Sequence, residues 1–115
     1  MKLPRVEKAQ VSETKIVKYL LSTTHRAGKS KAAFFMVHGF DPQRWKDLAT
    51  ALRQHAMDNE VSREEGTAFG TRYVADGILK APDGRGLNVR TVWFISDDSD
   101  FPRFVTAHPL RRRRS

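Results

Sequence analysis

With 115 residues, 39% of them apolar and 30% charged, the chain has the composition of one globular domain with a single modest core. No run approaches the roughly 20 apolar residues of a membrane-spanning helix, and the lack of cysteine excludes disulfides, thiolate metal ligands and a cysteine nucleophile. Lysine and arginine number 21 against 13 acidic residues, a formal charge of +8 that favours polyanionic partners, nucleic acid foremost.

The first residues, Met1-Lys-Leu-Pro-Arg-Val-Glu-Lys8, lack the apolar centre of a secretion leader, so a cytoplasmic setting is expected. Ser12 is a suitable N-cap for a first helix in which Ile16, Val17, Leu20 and Leu21 recur at helical spacing, before Ser22-Thr-Thr-His25 ends it. A second helix is predicted from Lys29 or Ser30 to His38, closed by Gly39 as a C′ residue, with Phe34, Phe35 and Val37 buried. Asp41-Pro42 gives an N-cap and an N1 proline to a third helix, whose Trp45, Leu48, Ala49, Leu52 and Ala56 follow at spacings of three and four.

From Val61 the pattern becomes strand-like. Strands are predicted over 61–67, 71–80, 87–96 and 102–108, broken by Gly66, Gly70, Gly77, the turn Pro82-Asp-Gly84-Arg-Gly86 and the acidic loop Asp97-Asp-Ser-Asp100. The predicted class is α+β, with about three N-terminal helices packed on one face of a four-stranded antiparallel sheet. Residues 1–109 form the domain. Residues 110–115 read as a solvated, disordered tail whose Arg111 to Arg114 carry half of the net charge and leave the domain at +4.

The stretch His25-Arg-Ala-Gly28-Lys-Ser-Lys31 crowds a histidine and two lysines at the entrance of the second helix, where the helix dipole already favours anions. Lys31 gains nothing electrostatically from that position, which points to a functional charge. Cleavage of an RNA phosphodiester by its own 2′-hydroxyl needs a base, an acid and cations, with no metal. His25 would exchange protons near neutral pH, and Lys29 or Lys31 would neutralise charge on the phosphoryl oxygens. Arg90 would bind phosphate bidentately, while Thr91 or Thr106 would donate hydrogen bonds.

Trp93, Arg103 and His108 complete the set offered by the last two strands, His108 as a second acid–base group. Strand parity separates Arg90 from Thr91, so the two cannot share a face of a regular strand. Each residue also has a structural reading: Arg90 as a cross-strand ion pair, Thr91 and Thr106 as good strand formers, Trp93 as core. His38 and His55 read as structural, the latter within an exposed helix. The carboxylates Asp97, Asp98 and Asp100 share one loop without a histidine at ligand spacing, so no metal site is expected. No cofactor is expected either, since nucleotide-binding loops, nucleophile elbows and metalloprotease helices are missing.

The stretches Tyr19-Leu-Leu-Ser22, His25-x-x-Gly28-x-x-Lys31-Ala-x-Phe34-Phe35, Gly39-Phe40, Arg90-Thr-Val-Trp93 and Pro102-Arg-Phe-Val-Thr106-Ala-x-Pro109 resemble a family of small bacterial domains of unassigned function, found alone or fused to phage-like and toxin-like proteins. The order of elements is more remotely similar to the ribonuclease fold of barnase, EndoU, the colicin D and E5 nucleases and the RelE toxins. That resemblance implies catalytic roles for His25, Lys31, Arg90 and Thr106; Lys29, Thr91, Trp93, Arg103 and His108 are the residues expected to bind substrate beside them. His108 stands where an aromatic, commonly tyrosine, is familiar in the family of small domains. The implied function is a metal-independent endoribonuclease, a toxin with RNA as substrate and an acidic inhibitor or antitoxin as partner. The alternative is a noncatalytic nucleic-acid- or protein-binding module of a phage or mobile element.

Overall fold

The computed structural model describes residues 1–22 and 29–110, and the side chains of Lys29 and Ser30 lie outside that description. Helix α1 (Glu13–Lys15) is capped by the Ser12 hydroxyl, which accepts from the Lys15 amide at 3.1 Å, and it runs on as a π-helical turn over Ile16–Leu20. The wide turn is closed by the Leu21 amide donating to the Ile16 carbonyl at 2.7 Å. Helix α2 (Lys29–Val37) ends at Gly39, whose φ of 102° is the left-handed conformation that a C′ glycine adopts without strain. Asp41 accepts from the Gln43 amide at 2.8 Å and starts a 3-10 turn (Pro42–Arg44) that leads into α3 (Trp45–Asp58).

The strands β1 (Val61–Gly66), β2 (Gly70–Lys80), β3 (Gly86–Ser96) and β4 (Arg103–Pro109) form an antiparallel meander in sequence order. The β2–β3 turn uses its sequence as expected. Gly84, at φ 87°, donates its amide to Ala81, and the Asp83 carboxylate accepts from the Arg85 amide at 2.9 Å. In β4 the pairing with β3 shifts by one residue at Val105: Thr106 lies opposite Val92, whereas Phe104 lies opposite Trp93. This bulge reverses the side-chain phase of the strand.

The core lies between the sheet and the helices. Trp93, Phe104, Leu79 and Val89 from the strands meet Leu48, Leu52 and Ala56 of α3, Phe35 of α2, and Ile16 and Leu20 of the π turn. Trp93 and Phe104 pack edge to face with ring centroids 5.5 Å apart. Val37, expected in the core, is 74% exposed: the apolar burden of α2 is borne by Ala32 and Phe35 instead. His55, expected on an exposed helix face, is buried, because α3 turns that face onto β3.

There a buried relay forms. The Trp93 indole N–H donates to the Thr91 hydroxyl at 2.9 Å, and that hydroxyl donates to His55 Nδ1 at 3.2 Å. His55 Nε2–H in turn donates to the Val89 carbonyl at 2.8 Å. A neutral His55 matches each of these donors and acceptors. The helices are not confined to one face of the sheet as predicted. While α3 covers the inner face, α2 sends Phe35 into the core and Lys31 to Thr106 on β4, so the helical layer wraps the β4 side of the sheet.

The relay makes two measurable demands. Thr91→Val leaves the Trp93 indole without an acceptor and His55 Nδ1 without a donor, which lowers the unfolding free energy by about 1–3 kcal/mol at an unchanged denaturant slope. Burial first of all lowers the His55 pKa from its ordinary value. The unfolded chain therefore binds more protons in the window between the lowered folded value and about 6.5. Stability is full above that window and declines as pH falls through it, and His55→Gln flattens the slope in equilibrium denaturation at different pH values.

Candidate functional site

The relay turns Thr91 and Trp93 inward, so alternation turns Arg90, Val92 and Phe94 outward. Register then assembles three rows across the outer face: Asp76, Arg90 and His108; Val74, Val92 and Thr106; Arg72, Phe94 and Arg103. The bulge at Val105 is what allows Arg103, Thr106 and His108 to lie on one face, which a regular strand forbids.

Beside the middle row lies the side chain of Lys31. Its ammonium donates to the Tyr19 hydroxyl at 3.0 Å and the Thr106 hydroxyl at 3.1 Å, and sits 5.0 Å from the centroid of the Tyr19 ring. Among the described residues Lys31 makes no ion pair with a carboxylate. Tyr19 and Thr106 open onto a groove of about 580 Å³ whose other lining residues include Lys15, Lys18, Val105 and His108, with no carboxylate among them. An ammonium fixed by two neutral hydroxyls keeps its full charge for an anion entering that groove.

The groove shifts its titratable groups. The hydrogen bond from Lys31, foremost, lowers the Tyr19 phenol below its ordinary value; burial opposes this, while Thr106 and Lys15 add to it. Burial, followed by the charges of Lys31, Arg90 and Arg72, lowers the His108 pKa and favours a neutral imidazole. Arg90 is placed differently. It holds Asp76 through two hydrogen bonds, Nε at 2.8 Å and a terminal nitrogen at 3.0 Å, which raise its already high pKa.

Of the residues singled out from sequence, Lys31 and Thr106 meet directly, His108 lines the same groove, and Arg90 lies opposite His108 in register while bonded to Asp76. Arg103 is exposed on the same face, in the neighbouring row. Thr91 and Trp93 belong to the buried inner layer, on the opposite side of the sheet from the groove. His25 lies outside the described residues, as does the Lys29 side chain. Tyr19, Lys15 and Lys18 were not singled out. Their spacing of three and four residues, on a different face of the helix from Ile16 and Leu20, is the signal that marks them as one surface.

The family match spans residues 2–111. The chain belongs to the DUF6883 family. DUF6883 is a domain of unknown function, and the match takes in Tyr19, Lys31, Thr106 and His108. No curated protein matches the chain in sequence. Among solved structures, it is similar to a chain of the contact-dependent growth inhibition toxin–immunity protein complex from Klebsiella pneumoniae 342. The TM-score is 0.68 at 17% identity, over 87% of this chain and 98% of that one. This DUF6883 domain therefore shares that chain's fold. Among its described residues no helix is long and apolar enough to cross a membrane.

The coupling of Tyr19 to Lys31 is directly testable. In ultraviolet absorbance titration, one of the two tyrosines ionises below the usual value of about 10, and Tyr19→Phe removes that transition. Lys31→Met returns it upward. A Tyr19 titration that ignores Lys31→Met would contradict the geometry.

Proposed function

We infer that this domain is a metal-independent endoribonuclease that acts as a toxin, held in check by an acidic protein that covers the groove. The observation that carries the reading is the Lys31 ammonium, which two hydroxyls position without neutralising it, beside a histidine disposed to be neutral. The chemistry follows from those states. Neutral His108 takes the proton of an RNA 2′-hydroxyl as its oxygen bonds to the adjacent phosphorus. Lys31 and the Thr106 hydroxyl stabilise the negative charge gathering on the phosphoryl oxygens. The bond from phosphorus to the 5′-oxygen breaks, and Tyr19, made more acidic by Lys31, supplies the proton to the departing oxygen. The products are a 2′,3′-cyclic phosphate end and a free 5′-hydroxyl.

Other features fit this assignment of roles. Lys15 and Lys18 at the groove add charge that draws a polyanion to it, whether RNA or an acidic protein. The fold is shared with a chain from a toxin–immunity protein complex, which supports both the toxic role and the inhibitor. His25 lies in sequence between Tyr19 and Lys31, and we assign it as a further acid–base group. Arg90, engaged by Asp76, orients the His108 row rather than clamping phosphate. That saturated arginine is also the observation that favours a noncatalytic binding module.

The test is cleavage of single-stranded RNA in the presence of a chelator, with product ends analysed by mass spectrometry. Wild type yields cyclic phosphate ends and leaves DNA of the same sequence intact. His108→Gln lowers the rate about 10²–10⁴-fold and Lys31→Met by about 10²–10³-fold, both as folded proteins that no longer arrest growth when expressed. His25→Ala has its own measurable defect. RNA bound without products by wild type would overturn the catalytic reading in favour of the binding module.

A further inference from the structure

Beyond the groove, one aromatic side chain on the outer face, Phe94, stands apart from the core among the described residues. Phe94 is half-buried, yet it belongs neither to the hydrophobic core nor to the partly buried residues packed against that core. Among the described residues it stacks on no other ring. Its register neighbours are Arg72 on β2 and Arg103 on β4, both exposed, so it lies between two arginines on the side of the sheet where Thr106 and His108 stand.

Neither arginine is saturated as Arg90 is. Glu65 is the register partner of Arg72 but pairs with Arg63 at 3.3 Å, and Arg103 makes no ion pair among the described residues, acting on Asp98 only through its charge. Gly70 completes the ledge. A Cβ there would strike the Ile95 carbonyl oxygen of β3 first and also come within 2.8 Å of the tip of the Phe94 ring, so a glycine at this position leaves room for both.

We propose that Phe94, flanked by Arg72 and Arg103, is a nucleotide subsite that stacks one base of a single-stranded RNA and binds the adjoining backbone phosphates. The subsite rests on the ribonuclease reading of the groove and extends it to the substrate. The ledge lies two residues, about 7 Å, along the strands from the Thr106 row, on the same face, so the strand that presents its phosphate to Lys31 passes over Phe94 with a neighbouring base. A ring with a free face stacks on any base, while arginines on both sides track the backbone; together they select an unpaired strand over a duplex, whose bases are already stacked.

The experiment is fluorescence anisotropy with a short single-stranded oligonucleotide carrying 2′-O-methyl groups, which cannot be cleaved by the 2′-oxygen, and with a version of it that lacks bases. Wild type binds the intact strand more tightly than the abasic one. Phe94→Leu, which keeps an apolar side chain on the outer face, weakens binding of the intact strand about 5- to 100-fold, as expected for loss of one base–aromatic stack, and leaves abasic binding unchanged. Phe94→Trp restores the preference. Arg72→Gln and Arg103→Gln weaken both strands alike and reduce the salt dependence.

Equal binding of the intact strand by wild type and by Phe94→Leu, with both folded by thermal melting, would overturn the subsite. So would a Phe94→Leu loss of the same size on the abasic strand. The two readings fail separately. Cleavage that depends on Lys31 and His108 but ignores Phe94 removes the subsite alone, whereas base-dependent binding through Phe94 without any cleavage removes the catalytic reading and keeps the subsite.

Discussion

The buried relay from Trp93 through Thr91 and His55 to the Val89 carbonyl is the constraint on which the rest of the domain depends. It does more than fasten α3 to the sheet. Three polar side chains in an apolar layer have to satisfy one another, since each unmatched group costs free energy. That requirement leaves β3 a single way to face: the chain cannot rotate by one residue without exposing the relay and burying Arg90. The outer face is thereby defined from within, and the rows that meet at the groove follow from the direction in which Trp93 points.

On that outer face the cations are divided by their company. Arg90 has a carboxylate in bidentate contact. Among the described residues Lys31 meets hydroxyl oxygens and no carboxylate; its hydrogen bond lowers the pKa of Tyr19, and its charge adds to burial in lowering that of His108. A surface carrying positive charge beside neutral acid–base groups holds an unspent potential, and the natural way to discharge it is an anion seated between them. On the proposed reading, the same imbalance would let one surface receive a nucleic acid and an acidic protein in turn, because both would answer the same field.

Most of the fold was legible from local signals. Ser12 and Asp41 act as caps, Gly39 closes α2, and Asp83-Gly84 makes the β2–β3 turn, because each is a short-range effect that the chain carries with it. What was not legible arises where distant elements meet. Burial of His55 depends on which side of α3 meets β3, and exposure of Val37 on how α2 is set against β4. The site was half legible: Lys31 and Thr106 stood out as a charge at a helix entrance and a hydroxyl on a strand, but Tyr19 entered only as the first residue of a family-like stretch, and nothing local ties it to Lys31. Which face holds Thr91 and Trp93 was left open by the sequence, because parity separates two faces without saying which is inside.

The bulge at Val105 sets the chemistry of β4 out of phase with its packing. Upstream of it, Phe104 is held in the core; downstream, Thr106, of the same numerical parity, stands in the groove. A single inserted residue thus works as a frame shift written in three dimensions. Were Val105 instead taken into regular pairing, with no residue set aside, the two ends of the strand would fall out of step and the hydroxyl and imidazole would turn inward. The spare residue at Val105 is therefore what reconciles the numbering of β4 with its two faces, and it is the pairing around it, more than the residue that fills it, that keeps packing and chemistry apart.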